Sequence, residues 1–275
     1  MPLVRTQSLL KKLLPRGCFA LLYKFACSVY DIWRKITDEI YYTGSRIYYL
    51  LKKDDKNLKK IKTINLIRPY TMVGRTGLLA TYDIANEIEE NGIDGCFVEC
   101  GVARGGCSAI MAMVSHDKAS ERKMWLFDSF EGLPVPTFED ESDVEKNPGT
   151  DRSSSALQQS FCLGTYEEVS TLLFSTLGLD RENVKMVKGW FQETLPEHKD
   201  KIGKISFLRI DGDWYESTKC VLENLYENVV TEGYIFIDDY HLSGCKKAVD
   251  EFLQQRGVDT ELTLDGRGGA YFVKL

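Results

Sequence analysis

Two apolar runs in the sequence each end in a pair of aspartates. FLRIDGD, residues 207–213, ends in Asp211 and Asp213, and YIFIDD, residues 234–239, ends in Asp238 and Asp239. Because the carboxyl ends of parallel strands line one crevice of an α/β sheet, we expect all four carboxylates to converge there. Four such charges would repel one another and raise their pKa values unless a cation lies among them. Oxygen ligands without Cys or His favour a hard ion, so the pattern predicts Mg²⁺.

Two other interpretations of these aspartates remain open. Asp is a favoured N-cap, so the acids could cap the helices that follow the strands, although capping explains one aspartate per strand end and not two. DGD also matches the DxD pattern with which metal-dependent glycosyltransferases bind a nucleotide-sugar pyrophosphate. That interpretation accounts neither for the second acidic strand end nor for the glycine-rich turn described next.

A glycine-rich turn lies earlier in the chain, in FVECGVARGGCSAI. A strand there ends in Glu99 and is followed by three glycines, Gly101, Gly105 and Gly106. Glycines at a strand-to-helix turn let a ligand approach the backbone, and a helix N-terminus favours negative charge. The spacing is not GxGxxG, the dinucleotide fingerprint. Asp128, at the end of MWLFD, is placed to accept hydrogen bonds from both hydroxyls of a ribose. The two elements together predict a nucleoside ligand without a pyrophosphate.

Alternating strands and helices must position these residues. The chain has 275 residues, 43% of them hydrophobic and 28% charged, as in an ordinary globular α/β protein. Hydrophobic patterning predicts strands at 95–100, 124–128, 184–189, 205–211 and 234–239. It predicts helices at 106–114, 166–177, 217–230 and 244–255. Residues 261–275 read as an antiparallel hairpin around Gly266–Gly269, and residues 132–155 as a long loop. The predicted fold is a doubly wound, mostly parallel sheet.

The N-terminal part has a different character. Residues 7–53 predict one or two amphipathic helices through apolar positions separated by Lys and Arg, namely Leu9, Leu10, Leu13, Leu14, Phe19, Leu22, Phe25 and Trp33. Such helices could pack on the main domain or on a second subunit, or lie on an anionic membrane. The charged run Lys52–Lys62 reads as a linker. We therefore divide the chain into an extension at 1–62 and a catalytic domain at 63–275.

Charge and cysteine usage limit the possible partners and compartments. Residues 1–62 carry 14 basic and 5 acidic residues, a net charge of +9, and the rest carries 21 basic and 36 acidic residues, a net charge of −15. An acidic main body argues against a nucleic-acid partner. The eight cysteines have no metal-binding spacing and predict reduced thiols. We expect a cytoplasmic protein, because no apolar run is long enough to span a membrane and no cleavage pattern follows the N-terminal one; association with a membrane is the alternative that the N-terminal helices leave open.

Four motifs in this order resemble the TylF/macrocin O-methyltransferase family, whose members methylate sugar hydroxyls with S-adenosylmethionine and Mg²⁺. They are ECGVARGG, FDSFEGLP, RIDGDWYEST and IDDY followed by GCKKAVDEF. The similarity runs from TMVGRTGL, near residue 71, to about residue 255. It implies the class I, Rossmann-like methyltransferase fold with a seven-stranded sheet, and an S-adenosylmethionine- and Mg²⁺-dependent O-methyltransferase.

The resemblance also implies roles for individual residues. Asp213 would be the general base, and the metal ligands would be Asp211, Asp238 and Asp239. Residues expected at the cofactor are Met72, Glu99, Gly101, Arg104, Gly105, Ser108, Asp128, Ser129, Gly189, Trp190 and Asp211. Neighbouring side chains that could contact the acceptor are Tyr215, Tyr240 and His241. The acceptor itself, a sugar-containing small molecule or a glycan, is not encoded in any motif. A homo-oligomer is expected, and a non-catalytic interaction protein on the same fold remains an alternative.

Overall fold

A computed structural model of the chain describes residues 16–146 and 162–275. The predicted helical positions Leu9 to Leu14 and the end of the predicted loop, from residue 147, lie outside the described residues. The chain divides into two compact units at the Ile61–Lys62 boundary. No described helix is long and apolar enough to cross a membrane.

The second unit is built on one seven-stranded sheet in the order β3-β2-β1-β4-β5-β7-β6. The first five strands run parallel, and β7 pairs antiparallel with both β5 and β6. The strands are β1 Cys96–Cys100, β2 Met124–Asp128, β3 Val184–Lys188, β4 Ile205–Ile210, β5 Val229–Ile237, β6 Thr263–Leu264 and β7 Ala270–Val273. The predicted doubly wound sheet with a C-terminal antiparallel hairpin is confirmed. Strands β1 and β4 are buried along their whole length, as expected at the centre of such a sheet.

Nine helices connect or precede these strands in the described residues. They are α1 Arg16–Lys52, α2 Asp55–Ile67, α3 Arg75–Asn91, α4 Gly106–Asp117, α5 Glu141–Lys146, α6 Tyr166–Ser170, α7 Phe191–Ile202, α8 Tyr215–Leu225 and α9 Ser243–Arg256. A π-helical turn, Thr171–Thr176, continues α6. Helices α3 and α7 were not predicted; α7 contains Pro196, whose presence in a short charged segment argues against a helix.

Three sequence-based boundaries were wrong. Helix α8 ends at Leu225 and β5 already begins at Val229, because Val229 and Val230 belong to the strand and not to the helix. The predicted loop at 132–155 contains the 3₁₀ turn Phe138–Asp140 and helix α5. The predicted linker is helical from Asp55, and its buried Leu58 and Ile61 lie one helical turn apart. In the linker, the high density of lysines concealed this apolar period.

Candidate active site

A cleft of about 250 Å³ lies at the carboxyl edge of the parallel strands. Most of the residues predicted at a cofactor or metal line it: Met72, Glu99, Gly101, Arg104, Asp128, Ser129, Gly189, Trp190, Asp211, Asp213, Asp238 and Asp239. They come from the ends of β1, β2, β3, β4 and β5 and from the segment before α3. The sheet therefore brings together motifs that are separated by more than 100 residues in the sequence, as this fold requires.

Three of the four aspartates form a cluster in this cleft. Carboxylate oxygens of Asp211, Asp213 and Asp239 all lie within 4.8 Å of one another. Burial and the neighbouring carboxylates raise the pKa of Asp213 and of Asp239 well above the usual value, and the pKa of Asp211 is raised for the same reasons. Asp239 Oδ2 is buried and has no hydrogen-bond partner. A buried oxygen without a donor beside two further carboxylates fits a hard divalent cation bound in this cluster.

Asp238 is placed differently, because two arginines bind it. The Arg209 guanidinium donates to Asp238 Oδ1 at 2.6 Å, and the Arg267 guanidinium donates to Asp238 Oδ2. Both carboxylate oxygens are thus engaged by protein cations. The structure brings Asp211 and Asp239 together with Asp213, whereas Asp238 lies beside this cluster in charge-assisted pairs.

The interpretation of these acids as helix caps is wrong for the two helices that follow. The N-cap positions of α8 and α9 are Trp214 and Leu242, which provide no side-chain cap. Asp140 accepts the Tyr215 N–H at 3.0 Å and Asp143 accepts the Ser243 N–H at 2.6 Å. Both acids come from the segment predicted to be a loop, so the strand-end aspartates are left for the cleft.

Glu99 is held from two sides at the end of β1. Arg209 donates to Glu99 Oε1 at 2.9 Å, and the Ser108 hydroxyl donates to Oε2. Burial raises the pKa of Glu99 to about 7, although Arg209 and Ser108 both favour its charged form. Ser108 itself is fully buried and does not line the cleft. It is connected to the site through its hydrogen bond to Glu99.

Asp128 closes the glycine-rich turn. Its Oδ2 accepts the N–H groups of Val102 and Ala103 at 2.6 and 2.9 Å, and its Oδ1 accepts the Phe130 N–H at 2.6 Å. Burial nevertheless raises its pKa. Each carboxylate oxygen has two lone pairs, so these three bonds leave one acceptor site, on Oδ1, for a ribose hydroxyl.

Close approach explains two of the glycines. A Cβ at Gly101, whose φ is +94°, would lie 1.7 Å from the Asp211 carbonyl oxygen, and a Cβ at Gly106 would lie 2.4 Å from Thr71 Cβ. Gly101 therefore lets the ends of β1 and β4 meet, and Gly106 lets the segment before α3 pack over the turn. Gly105, at φ +83°, is the N-cap of α4 and does not itself line the cleft.

The three residues predicted at the acceptor do not line the cleft. The Tyr215 hydroxyl donates to Glu251 at 2.7 Å, and the Tyr240 hydroxyl donates to Asp250 at 2.7 Å. His241 is exposed and packs against Gly268, where a Cβ would lie 2.6 Å from its Nδ1.

Sequence reasoning missed Arg209 and Arg267. Arg209 is the only charged residue within the strand ISFLRI and is fully buried, and this isolated charge in an apolar run is the signal that was available. Arg267 lies in the glycine-rich turn of the hairpin, where no local pattern distinguishes it from an exposed arginine. Among the other residues that line the cleft are Thr71, Val73, Leu133, Pro134, Cys162, Phe191, Gln192 and Ser217.

Comparisons with known proteins agree on one family. The model of the family described as Macrocin-O-methyltransferase (TylF) matches residues 49–274, a longer span than the motifs alone indicated. The demethyldecarbamoylnovobiocin O-methyltransferase of Streptomyces niveus is 35% identical over 207 residues, which cover 74% of this chain and 75% of that protein. An 8-demethyl-8-(2,3-dimethoxy-alpha-L-rhamnosyl)-tetracenomycin-C 4'-O-methyltransferase of Streptomyces olivaceus is 32% identical, covering 72% and 74%.

Solved structures support the same assignment of the fold. The O-methyltransferase NovP superposes with a TM-score of 0.65 at 33% identity, over 74% of this chain and 82% of that chain. The calicheamicin methyltransferase CalS11 superposes with a TM-score of 0.56 over 79% of this chain and 92% of that chain. Its identity of 18% supports the fold alone. The predicted class I methyltransferase fold is confirmed.

The raised pKa of Asp239 predicts that this residue destabilises the protein when no cation is bound. A raised pKa means that the native state disfavours the carboxylate, so the penalty is absent below the unfolded pKa of about 4 and grows as pH rises toward the native pKa. In EDTA, Asp239→Asn should raise the Tm at pH 8 by about 2 °C or more and leave it unchanged near pH 4, by differential scanning calorimetry. The exposed Asp259→Asn is the matched control and should have no effect at either pH. An unchanged Tm of Asp239→Asn at pH 8 would contradict the electrostatic description of the cluster.

Proposed function

The chain belongs to the TylF macrocin-O-methyltransferase family and is an O-methyltransferase, and from this premise we propose that it methylates a sugar hydroxyl with S-adenosylmethionine and Mg²⁺. The observation that carries the proposal is the acidic cluster of Asp211, Asp213 and Asp239, with its unpartnered buried oxygen, in the same cleft as Glu99 and Asp128. A cofactor region and a candidate cation region thus share one cleft.

The names of the relatives support a sugar-containing acceptor. One name specifies a rhamnosyl group on tetracenomycin C, and the other specifies a demethyl form of decarbamoylnovobiocin. We propose a glycoside or glycan hydroxyl as the acceptor for this chain. The glycosyltransferase interpretation of DGD loses its basis, because the family match includes both the glycine-rich turn and the second acidic strand end.

In this proposal the residues of the cleft bind the cofactor and position the acceptor. S-adenosylmethionine supplies a methyl group that its sulfonium already activates, so the protein mainly positions the acceptor behind that methyl. Glu99 and the turn from Gly101 to Gly105 would bind the amino-acid part of the cofactor, and Asp128 and Ser129 would bind its ribose. Gly189 and Trp190 would bind the adenine, and Met72 and Arg104 would cover the cofactor. All but Gly105 of these residues line the cleft.

The acids divide into a metal set and a base. Mg²⁺ bound here would lower the pKa of an acceptor hydroxyl. Asp211 and Asp239 would hold the ion. Asp238 would be the third ligand when Arg267 no longer binds its carboxylate. Asp213 is then left to accept the hydroxyl proton, and its burial, which raises its pKa, favours the protonated form that results.

The same proposal covers partners and location. The acidic second unit argues against a nucleic-acid partner, and we propose a cytoplasmic homo-oligomer whose N-terminal extension, residues 1–62, makes a peripheral contact with a membrane. Six cysteines in the second unit are free thiols, which is compatible with a reducing compartment: Cys96, Cys100, Cys107, Cys162, Cys220 and Cys245.

The Asp213→Asn substitution tests the general base. Asp213 has a φ of +57°, a left-handed conformation that Asn tolerates well, so the change removes the charge and leaves the backbone as it is. We expect turnover of S-adenosylmethionine on a panel of rhamnosides to fall by about a hundredfold or more. Binding of S-adenosylhomocysteine, measured by isothermal titration calorimetry, should stay within about threefold of wild type, since the residues around the cofactor are unchanged. Full activity of the variant would remove Asp213 from the chemistry.

Chelation tests the metal separately. EDTA should abolish methyl transfer, and added Mg²⁺ should restore it, because Asp211, Asp213 and Asp239 repel one another without a cation. Binding of S-adenosylhomocysteine in the presence of EDTA is the control that separates loss of metal from loss of fold. An enzyme that keeps its full rate in EDTA would show that no dissociable cation takes part.

A further inference from the structure

Helix α1 carries an exposed apolar stripe, which we define as Phe25, Val29, Ile32, Ile36, Ile40, Ile47, Leu50 and Leu51. Ile36, Ile40 and Leu51 are 54%, 68% and 78% exposed. Isolated exposed apolar residues are normal, but a contiguous row along one side of a helix marks a surface for association. We propose that this stripe lies on an anionic membrane surface. The inference goes beyond the methyltransferase reaction and does not depend on it.

The spacing of the stripe favours a flat partner over a second helix. Phe25, Ile36 and Ile47 are eleven residues apart, and so are Val29, Ile40 and Leu51. An eleven-residue repeat corresponds to about 3.67 residues per turn, close to the α-helix itself, so the row stays on one side of a straight helix. A left-handed pair of helices would instead require apolar residues every 3.5 positions on average.

Charge favours an anionic surface over a second copy. Helix α1 contains six basic and three acidic residues, and residues 1–62 together carry a net charge of +9. Exposed Lys35 and Arg46 lie one turn from Ile32 and Leu50, beside the stripe. Two copies of this extension would repel each other, whereas anionic lipid headgroups attract basic residues by about 1 kcal/mol each.

The position of α1 in the sequence also separates it from the catalytic unit. The family match begins at residue 49, so most of α1 precedes the part of the chain that the family shares. An amphipathic helix that binds a membrane lies in the plane of the interface with its apolar face buried, and this is the geometry we expect for α1.

Vesicle sedimentation tests the inference. Wild-type protein should bind vesicles of phosphatidylcholine and phosphatidylglycerol about tenfold or more tightly than vesicles of phosphatidylcholine alone, and added salt should weaken that binding. The double variant Ile36→Glu, Ile47→Glu should lose about tenfold or more of the binding, because both side chains leave the apolar boundary. The matched control Gln254→Glu, Gln255→Glu adds the same charge at exposed positions of α9 and should bind as wild type does.

Light scattering after size-exclusion chromatography tests whether a second copy of the chain, and not a membrane, covers the stripe. We expect the mass in solution to be the same for wild type and for the Ile36→Glu, Ile47→Glu variant. A mass that falls in the variant, with no vesicle binding by wild type, would assign the stripe to a second copy of the chain and overturn the membrane inference. Equal vesicle binding by wild type and the variant would overturn it as well.

A second inference rests on the Asp238 pairs and on the proposed function. Arg267 is the cation that remains accessible there, since its side chain is 27% exposed and lines the cleft, whereas Arg209 is fully buried and also holds Glu99 and Asp211. We infer that Arg267 is the resident counter-cation of Asp238 and that a divalent cation displaces it. If Arg267 stayed in place, its positive charge would lie close to the divalent cation and repel it.

The surroundings of Arg267 would transmit that exchange to the cofactor side. A Cβ placed on Gly74 would lie 2.9 Å from Arg267 Cδ, and one placed on Gly77 would lie 3.5 Å from its Nε. Gly74 is the N-cap of helix α3, directly after Met72 and Val73 of the cleft wall. Asp265 fixes the turn by accepting the N–H groups of Gly268 and Gly269, each at 2.9 Å. Arg267 therefore connects the acidic cluster to the segment over the cofactor.

Metal titration distinguishes this role from simple packing. In calorimetric titrations with Mg²⁺ alone, Arg267→Gln should bind the ion about tenfold or more tightly than wild type, because one competing positive charge is gone. Arg267→Lys keeps the charge and should stay close to wild type, and Arg256→Gln, which removes an arginine paired with Glu227 on the surface, should not change the affinity. The rise in Tm on adding Mg²⁺ should be larger for Arg267→Gln than for wild type.

The outcomes separate this inference from the proposed function. If wild type binds Mg²⁺ and Arg267→Gln binds it no more tightly, Arg267 is a packing residue and only this inference fails. If neither protein binds Mg²⁺, the metal leaves the proposed function and the inference falls with it.

Discussion

The Arg209 guanidinium is the interaction on which the site depends. It lies in the middle of the sheet, fully buried, and binds Glu99 at the end of β1, Asp211 beyond β4 and Asp238 beyond β5. Leaving a buried carboxylate without its partner costs about 3–5 kcal/mol, so one arginine makes three acidic strand ends compatible with a folded protein. The positions of the cofactor turn and of the acidic cluster are therefore set by the same side chain. Its contacts with the three carboxylates are 2.6 to 2.9 Å long, so a displacement of the cofactor turn would also displace the acidic cluster.

Arg209 does not neutralise the whole acidic cluster, and the carboxylates that it does not bind give the cleft its chemistry. Asp213 and Asp239 receive no bond from Arg209, and burial together with their neighbours raises both pKa values. Helix capping is carried out instead by Asp140 and Asp143, which lie far from these strand ends in the sequence. Without those two caps, the N–H groups of α8 and α9 would compete for the same aspartates. The segment at 137–143 thus contributes to the site without touching a ligand.

The sequence predicted the sheet well, because strands in a parallel sheet are short apolar runs bounded by acids and glycines. All five parallel strands and the hairpin were found from such runs. The composition of the acidic cluster was also predictable, since four aspartates follow two adjacent strands. What could not be predicted is how the four are divided: Asp238 is paired by Arg267, which is 29 residues away and lies in a turn whose pattern gives only its backbone shape. Helix α2 was misread because its lysines conceal apolar positions at every third residue, and burial of that row is a tertiary property.

The two aspartates that follow β4 are positioned by different features of the backbone. Gly101 brings the backbone of β1 so close to Asp211 that any side chain there would collide with its carbonyl oxygen. That contact fixes Asp211 directly beside the glycine-rich turn. Gly212 then passes between Ser217 and Phe191, where a Cβ would lie 2.9 Å from Ser217 Cβ, and the left-handed Asp213 turns the chain back toward the cleft. In this conformation the carboxylate of Asp213 lies within 4.8 Å of those of Asp211 and Asp239. The left-handed backbone costs an ordinary residue about 1 kcal/mol, and Asp, like Asn, adopts it more readily, so an aspartate at this position supplies both the charge and the turn.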